Sequence, residues 1–284
     1  MSYKNSKSFL SFSKSPYKSI KHTTYFQIYD ELFSPFIGEE ITFVEIGVLG
    51  GGSLFMWRDF FGEKARIIGV DLNPEVKRWE KEGFEIYIGS QSDPEFWNNF
   101  LDKVGHIDII LDDGGHTFEQ QIITVESALP SINDGGLIVI EDTYTSFMKE
   151  FGSPSKFSFI NYSKNIIDGI NYRSGKLLEK IAEKNIFSLS FYESIVVFKI
   201  NRDLSSEPSH GIGNVGEEVS VKNYRYSDSE TISLLDKMQD KYNFLKKSKL
   251  IKSFFSKIYL EVRKIITFFV NSRKNYSLRK YFRY

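Results

Sequence analysis

Five short apolar runs punctuate the first half of the chain: ITFVEIG (41–47), RIIGVD (66–71), EIYIGS (85–90), IDIILDD (107–113) and GGLIVIED (135–142). Four stretches of helical spacing lie between them: SLFMWRDFF (53–61), PEVKRWEKEG (74–83), DPEFWNNFLDKV (93–104) and TFEQQIITVESAL (117–129). The apolar runs are continuous rather than alternating, as strands buried on both faces are. Such strands alternating with helices predict an α/β fold, a mostly parallel sheet with helices on both faces. Asp93 as a cap and Pro94 at the first position mark the start of the third helix. Upstream, Tyr25, Ile28, Tyr29, Leu32 and Phe33 share one face of another helix.

Beyond residue 143 the pattern weakens. Residues 157–184 read as partly helical. NIFSLSFY and ESIVVFKI (185–200) are two strands too close together for a crossover helix, so they pair antiparallel or continue one another. The polar stretch 201–230 reads as a linker or long loop. The expected organisation is therefore a basic N-terminal segment (1–21), a sheet domain (22–200), a polar linker (201–230) and a basic amphipathic helical extension (231–284).

Charge supports that division. The chain is formally neutral, with 37 Lys plus Arg against 37 Asp plus Glu. Residues 1–21 nonetheless carry five Lys and no acid, and residues 241–284 carry 13 bases against Glu261 alone. The remaining body holds 19 bases and 36 acids, which argues against its gripping a nucleic-acid backbone, and no nucleic-acid partner is expected. Cysteine is absent, excluding disulfides, thiolate nucleophiles and Cys-ligated metals. No run reaches about 18 apolar residues, and the N-terminus lacks the apolar stretch of a signal peptide, so the expected compartment is the cytoplasm.

VEIGVLGGGS (44–53) joins the first strand to a helix, where open parallel sheets bind ligands outside the carboxyl ends of their strands. Gly47, Gly50, Gly51 and Gly52 would let a ligand lie against the backbone, and Asp71 at the end of the second strand can accept ribose hydroxyls. An ordinary turn, with Asp71 as a turn former, is the alternative. So is a dinucleotide site, although the spacing is not GxGxxG. Glu45 inside the first strand and the polar pair Ser90-Gln91 ending the third give the set the look of a class I S-adenosylmethionine-dependent methyltransferase.

LDDGGHTF (111–118) and IEDTYTS (140–146) end the fourth and fifth strands. Were these strands neighbours, about 4.8 Å apart, Asp112, Asp113, Glu141 and Asp142 would converge at one sheet edge. Packed carboxylates repel unless a cation or donors offset them, and hard oxygen ligands suit Mg²⁺ or Mn²⁺. His116 at the following loop could act as general base. Each segment can also be read as a turn or helix cap. His22, His106 and His210 show no acidic or His partner at ligand spacing and are read as bystanders.

VEIGVLGGGSLFMWRDFFGEKARIIGVDLNP, GSQSDPEFW, DDGGHTFEQQ and GGLIVIEDTYTS resemble the metal-dependent sugar O-methyltransferases of the mycinamicin and tylosin pathways. Several bacterial polysaccharide-locus methyltransferases look similar. The resemblance covers about residues 20–150 and implies a Rossmann-like seven-stranded sheet. It implies a divalent ion held by Asp113, Glu141 and Asp142, with His116 as catalytic base. It also implies S-adenosylmethionine lying on Glu45, Gly47, Asp71, Ser90, Gln91 and Asp112. The expected acceptor is a sugar hydroxyl of a glycoside, nucleotide sugar or surface-polysaccharide precursor. Rival readings are a catechol-type O-methyltransferase, a metal-dependent hydroxylase, for which no His pair is present, and a non-catalytic membrane-docked protein keeping the fold.

In the tail, Ile251, Phe254, Phe255, Ile258, Val262, Ile265, Ile266 and Phe269 fall within roughly 60° of one helical line. Lys249, Lys252, Lys257, Arg263 and Lys264 take the rest of the circumference. This stripe fits an interfacial helix on an anionic membrane surface through residues 249–284, or a helix docked on protein, either the acidic body or another subunit of a homo-oligomer.

Overall fold

The computed structural model describes residues 3–171, 185–206, 210–221, 224–225, 229–245 and 252–282. Contacts divide the chain into two compact units, Met1–Gly211 and Ile212–Tyr284.

The first unit is built on a seven-stranded sheet. Its strands are β1 (Thr42–Ile46), β2 (Arg66–Asp71), β3 (Glu85–Ile88), β4 (Ile107–Asp112), β5 (Ile132–Ile140), β6 (Ile186–Tyr192) and β7 (Ile195–Ile200). The order is β3-β2-β1-β4-β5-β7-β6. The first five strands are parallel, as their continuous apolar runs predict. β7 lies antiparallel to both β5 and β6, so the short connection at Glu193-Ser194 is a hairpin. Strand order reverses between β1 and β4, and the register there puts Ile46 opposite both Val70 and Asp112. Asp112 in turn faces Ile140. Gly47, Asp71, Asp113 and Glu141 therefore emerge side by side at one sheet edge.

Helices cover both faces. On one side α1 (Lys7–Lys14), α2 (Tyr25–Phe33) and α3 (Gly52–Phe61) enclose an aromatic core of Tyr29, Phe33, Phe43, Trp57 and Phe61. On the other, α4 (Pro94–Val104), α5 (Phe118–Ala128) and α6 (Phe159–Asn171) bury Trp97, Phe100 and Phe159. Each such ring buries about 150–250 Å², so these layers carry much of the hydrophobic stabilisation. The Asp93 side chain accepts from Glu95 N–H, and Pro94 opens α4, as read from the sequence. Thr117 and Gln120 form a reciprocal capping box on α5.

One local expectation needs correction. Pro74–Glu82 is a 3₁₀ helix rather than an α-helix. Its buried residues, Val76 and Trp79, are three apart, the period of a 3₁₀ turn. The basic N-terminal segment carries α1, which is fastened to its neighbours. Lys7 N–H and Ser8 N–H donate to the Asp30 carboxylate, while Ser11 Oγ and Lys14 Nζ reach Asp59. From there residues 15–22 run as a strap across the glycine loop, with Ser15 Oγ donating to Gly52 O at 2.7 Å.

After a helical turn, α7 (Arg202–Ser205), the second unit contains α8 (Glu230–Leu245) and α9 (Lys252–Leu278). Tyr242 and Tyr259 stack with centroids 4.4 Å apart, and Tyr259 Oη donates to Gln239. Of the expected stripe on α9, Ile258, Val262, Ile265 and Phe269 are exposed, as are Leu260 and Phe268 beside it. Ile251 and the side chains of Phe254 and Phe255 lie outside the described residues, as does the stretch 172–184 of the region read as partly helical. Among the described residues no helix is long and apolar enough to cross a membrane.

Candidate active site

The C-terminal edge of the sheet opens into a cavity of about 840 Å³. Its walls are the loop after β1, the ends of β2, β3, β4 and β5, and the strap residues Lys18–His22. That volume suits a ligand of nucleoside size with room for part of a second one.

The glycine loop is shaped by neighbours on both sides. Gly47 has φ +91°, and a Cβ there would collide with the Asp113 carbonyl, so only glycine lets the ends of β1 and β4 approach so closely. At Gly52 a Cβ would meet the Tyr17 carbonyl of the strap. Asp71 Oδ2 accepts from the N–H groups of Val48 and Leu49, both at 2.9 Å, which fixes the loop from the end of β2.

The residues expected to hold cofactor fall into two groups. Gly47, Asp71 and Gln91 line the cavity. Glu45, Ser90 and Asp112 lie outside its lining. Glu45 is fully buried, its oxygens accepting from Ser53 Oγ at 2.7 Å and Trp57 Nε1 at 3.1 Å. Burial pushes its carboxyl up to about 7. Asp112, also buried, accepts from Gln91 Nε2 and Gly114 N–H, and burial raises it to about 7. Ser90 Oγ accepts from Ser92 N–H in the turn before α4. Glu45 and Asp112 bind the elements around the cavity to one another, while Ser90 shapes its own turn. Gln91 does both, since it lines the cavity and its Oε1 accepts from Gly115 N–H at 2.7 Å.

Of the four acids expected to converge at the ends of β4 and β5, Asp113 and Asp142 come together, while Asp112 turns to Gln91. Oxygen atoms of Asp113 and Asp142 and a ring nitrogen of His116 lie within 4.8 Å of one another, close enough to share one cation. His116 Nε2 is 3.4 Å from Asp142 Oδ2. Asp142 holds a left-handed backbone, φ +54°, which aims its side chain back toward α2. Glu141 is oriented differently. It is buried, and its two oxygens are taken by Tyr29 Oη and Lys21 Nζ. Burial pushes the Glu141 carboxyl up, against the pull of Lys21.

Four groups in or just behind the cavity wall escaped the sequence reading. Lys21 Nζ donates to Asp113 Oδ2 at 2.7 Å and to Glu141 Oε2 at 3.0 Å. Burial alone would lower its ammonium; the two carboxylates override that and hold it well above the usual lysine range. Tyr25 and Tyr29 were legible as an apolar face, but their hydroxyls end on Asp142 and Glu141. Burial and the adjoining carboxylates raise both phenols. His22, read as a bystander, lines the cavity with Nε2 4.0 Å from Asp142 Oδ1.

Comparison with known proteins fits this geometry. Residues 44–143 match a family described as a methyltransferase domain. The chain is 30% identical over 187 residues to 8-demethyl-8-alpha-L-rhamnosyl tetracenomycin-C 2'-O-methyltransferase of Streptomyces olivaceus, covering 61% of this chain and 49% of that protein. It is 28% identical over 191 residues to mycinamicin VI 2''-O-methyltransferase of Micromonospora griseorubida, covering 62% and 47%. It thus spans about half the length of the curated relatives it matches. Among solved structures, the MycE methyltransferase in complex with Mg, SAH and mycinamycin VI superposes with a TM-score of 0.61 at 26% identity, over 69% of this chain and 53% of that one.

Proposed function

We propose that this chain, whose residues 44–143 match the methyltransferase domain family within a class I Rossmann-like fold, moves a methyl group from S-adenosylmethionine to a sugar hydroxyl of a glycosylated acceptor, with Mg²⁺ or Mn²⁺ as cofactor. The observation that carries the reading is the convergence of Asp113, His116 and Asp142 at the mouth of the cavity that the glycine loop and Asp71 enclose. Relatives named as rhamnosyl and macrolide-sugar O-methyltransferases support the reaction class.

The residues fit a hard divalent ion. Asp113 and Asp142 gather beside His116, with Glu141 next along the same strand end, and such packing is tolerable only with a cation or donors among the carboxylates. Asp113, Glu141 and Asp142 would hold the ion, which supplies Lewis acidity toward an acceptor hydroxyl. His116 takes the hydroxyl proton, and Asp142 beside it stabilises the imidazolium that results. Asp71 keeps acceptor capacity for a ribose, and the Gly47 loop lies against the cofactor. In methyl transfer an anion and a sulfonium neutralise each other, so a dry, enclosed site favours it. Most of the rate then comes from orientation and proximity.

The acceptor class extends to nucleotide sugars and surface-polysaccharide precursors. A lipid-linked precursor would suit a cytoplasmic enzyme held peripherally on an anionic membrane by residues 249–284, where exposed Ile258, Val262, Ile265 and Phe269 accompany Arg263 and Lys264. A homo-oligomer would offer those side chains a protein partner instead. Mass spectrometry of glycans and sugar nucleotides from cells with and without the protein tests the reading. A methyl group lost from one saccharide in its absence supports it, and identical profiles count against it.

A further inference from the structure

The cation seat already has a claimant within the chain. Lys21 Nζ sits 2.7 Å from Asp113 Oδ2 and 3.0 Å from Glu141 Oε2, with its side chain only 2% exposed. These are carboxylates that the proposed function assigns to the divalent ion, and the inference rests on that assignment. An ammonium in contact with them and a doubly charged ion bound to the same oxygens cannot coexist in a dry site without strong repulsion.

We propose that Lys21 is a built-in competitor for the divalent ion, so that metal loading displaces Lys21 and lifts residues 18–22 of the strap from the mouth of the cavity. The strap's attachments support this. The two bonds from Lys21 Nζ are the hydrogen bonds that residues 18–21 make among the described residues. Ser19 Oγ is buried without a partner, and Ile20 is 83% exposed, so this stretch gains little of its own from lying where it does. Its upstream end is anchored separately, by Ser15 on Gly52 and by the Tyr17 ring against Trp79 at 4.5 Å. Downstream, α2 begins at Tyr25. Residues 18–22 thus span two fixed points, latched between them by Lys21 on Asp113 and Glu141, with His22 Nε2 4.0 Å from Asp142 at their end.

The latch couples two ligands. Lys18–His22 line the same cavity as the glycine loop and Asp71, with the Lys18 carbonyl lying against Gly50 and Gly52. Releasing Lys21 therefore opens the nucleoside end as well as the cation seat, and ion and cofactor each favour the other's binding. Lys21 acts here as a positioning residue, since it sets the state of the site without touching the reacting atoms.

Mn²⁺ alone serves as the probe. Its affinity is measured by electron paramagnetic resonance for the full chain and for Lys21→Met, alongside the rate at which a thiol reagent labels Ser19→Cys with and without the ion, in a chain that has no other cysteine. Binding at least 10-fold tighter in Lys21→Met is expected. So is faster labelling of Ser19→Cys on adding Mn²⁺, and labelling that is already fast before any ion is added when Lys21→Met is combined with it. Equal or weaker binding by Lys21→Met overturns the competition and leaves the metal-dependent reading standing. Absence of Mn²⁺ binding in both proteins overturns both. Should Lys21→Met not fold, the labelling of Ser19→Cys decides, and slower or unchanged labelling on adding Mn²⁺ overturns the latch.

Discussion

Tyr25 Oη donates to Asp142 Oδ1 at 2.5 Å and accepts the Asp142 backbone N–H at 3.3 Å, joining residues 117 positions apart. One hydroxyl thereby fixes both the side chain and the left-handed backbone of the residue that follows β5 and Glu141. Support of this kind sets how well a carboxylate can serve a metal. Tyr25→Phe should weaken Mn²⁺ binding by about 10-fold or more and cost about 1 kcal/mol of stability. An ion titration and a urea melt read the two effects. Unchanged values in both would remove Tyr25 from any part in the site.

His116→Ala should lower turnover by about 10²–10⁴-fold, the usual contribution of a general base. The ring is partly exposed, with 26% of its side chain accessible, so the fold should survive, within about 0.5 kcal/mol of wild type by urea melt. Asp113→Ala should abolish turnover as well. Full methyl transfer by either variant in the presence of excess EDTA would defeat the metal and base scheme together.

Gly47 and Gly62 separate collision from backbone strain. Both have φ +91°, but a Cβ at 47 meets the Asp113 carbonyl while one at 62 meets nothing within 4 Å. Gly62→Ala should therefore lose only the cost of a backbone that essentially only glycine adopts, φ +91° with ψ −177°, about 1–3 kcal/mol. Gly47→Ala should lose more than Gly62→Ala, the collision adding to the strain, and should also weaken S-adenosylmethionine, because the loop held by Asp71 must shift. Urea midpoints and equilibrium dialysis of the labelled cofactor make the comparison. Equal losses at the two positions would mean that the β1 and β4 ends are not locked together.

The sequence was most legible where periodicity carried the information. The apolar runs of β1 to β5 locate the parallel sheet, and the short connection at 193–194 forces β6 and β7 into antiparallel pairing. The direction of side chains within those runs was not legible. In a strand buried on both faces, an acid at one position can face the ligand or the core, and Glu45 faces Ser53 and Trp57. The strap was hidden for a different reason. Lys21 has no local pattern, and its partners lie 92 and 120 residues away. Tyr25 and Tyr29 were half visible, since their rings satisfy a helical apolar face while their hydroxyls serve partners that only tertiary structure supplies.

Glu45 also makes stability depend on pH. Burial raises its carboxyl to about 7 in the folded chain, against an ordinary value of 4.5 when unfolded. Below the lower value both states are protonated and the group is neutral to folding. Between the two values the unfolded chain has released a proton that the folded chain keeps, so stability falls as pH rises, and the loss levels off above about pH 7. A rise of this size corresponds to about 3 kcal/mol. Glu45→Gln preserves the geometry: the amide oxygen can accept from Trp57 Nε1, and the amide nitrogen can donate to Ser53 Oγ once that hydroxyl turns. The variant should match wild type near pH 4.5 and exceed it at pH 8 by up to about 3 kcal/mol. Asp112, raised in the same way, remains in the variant and should keep part of the slope. Urea denaturation of both proteins between pH 5 and 8 measures the difference. Parallel profiles would mean that Glu45 is ionised in the folded state, its charge stabilised by the donors of Ser53 and Trp57 despite its burial.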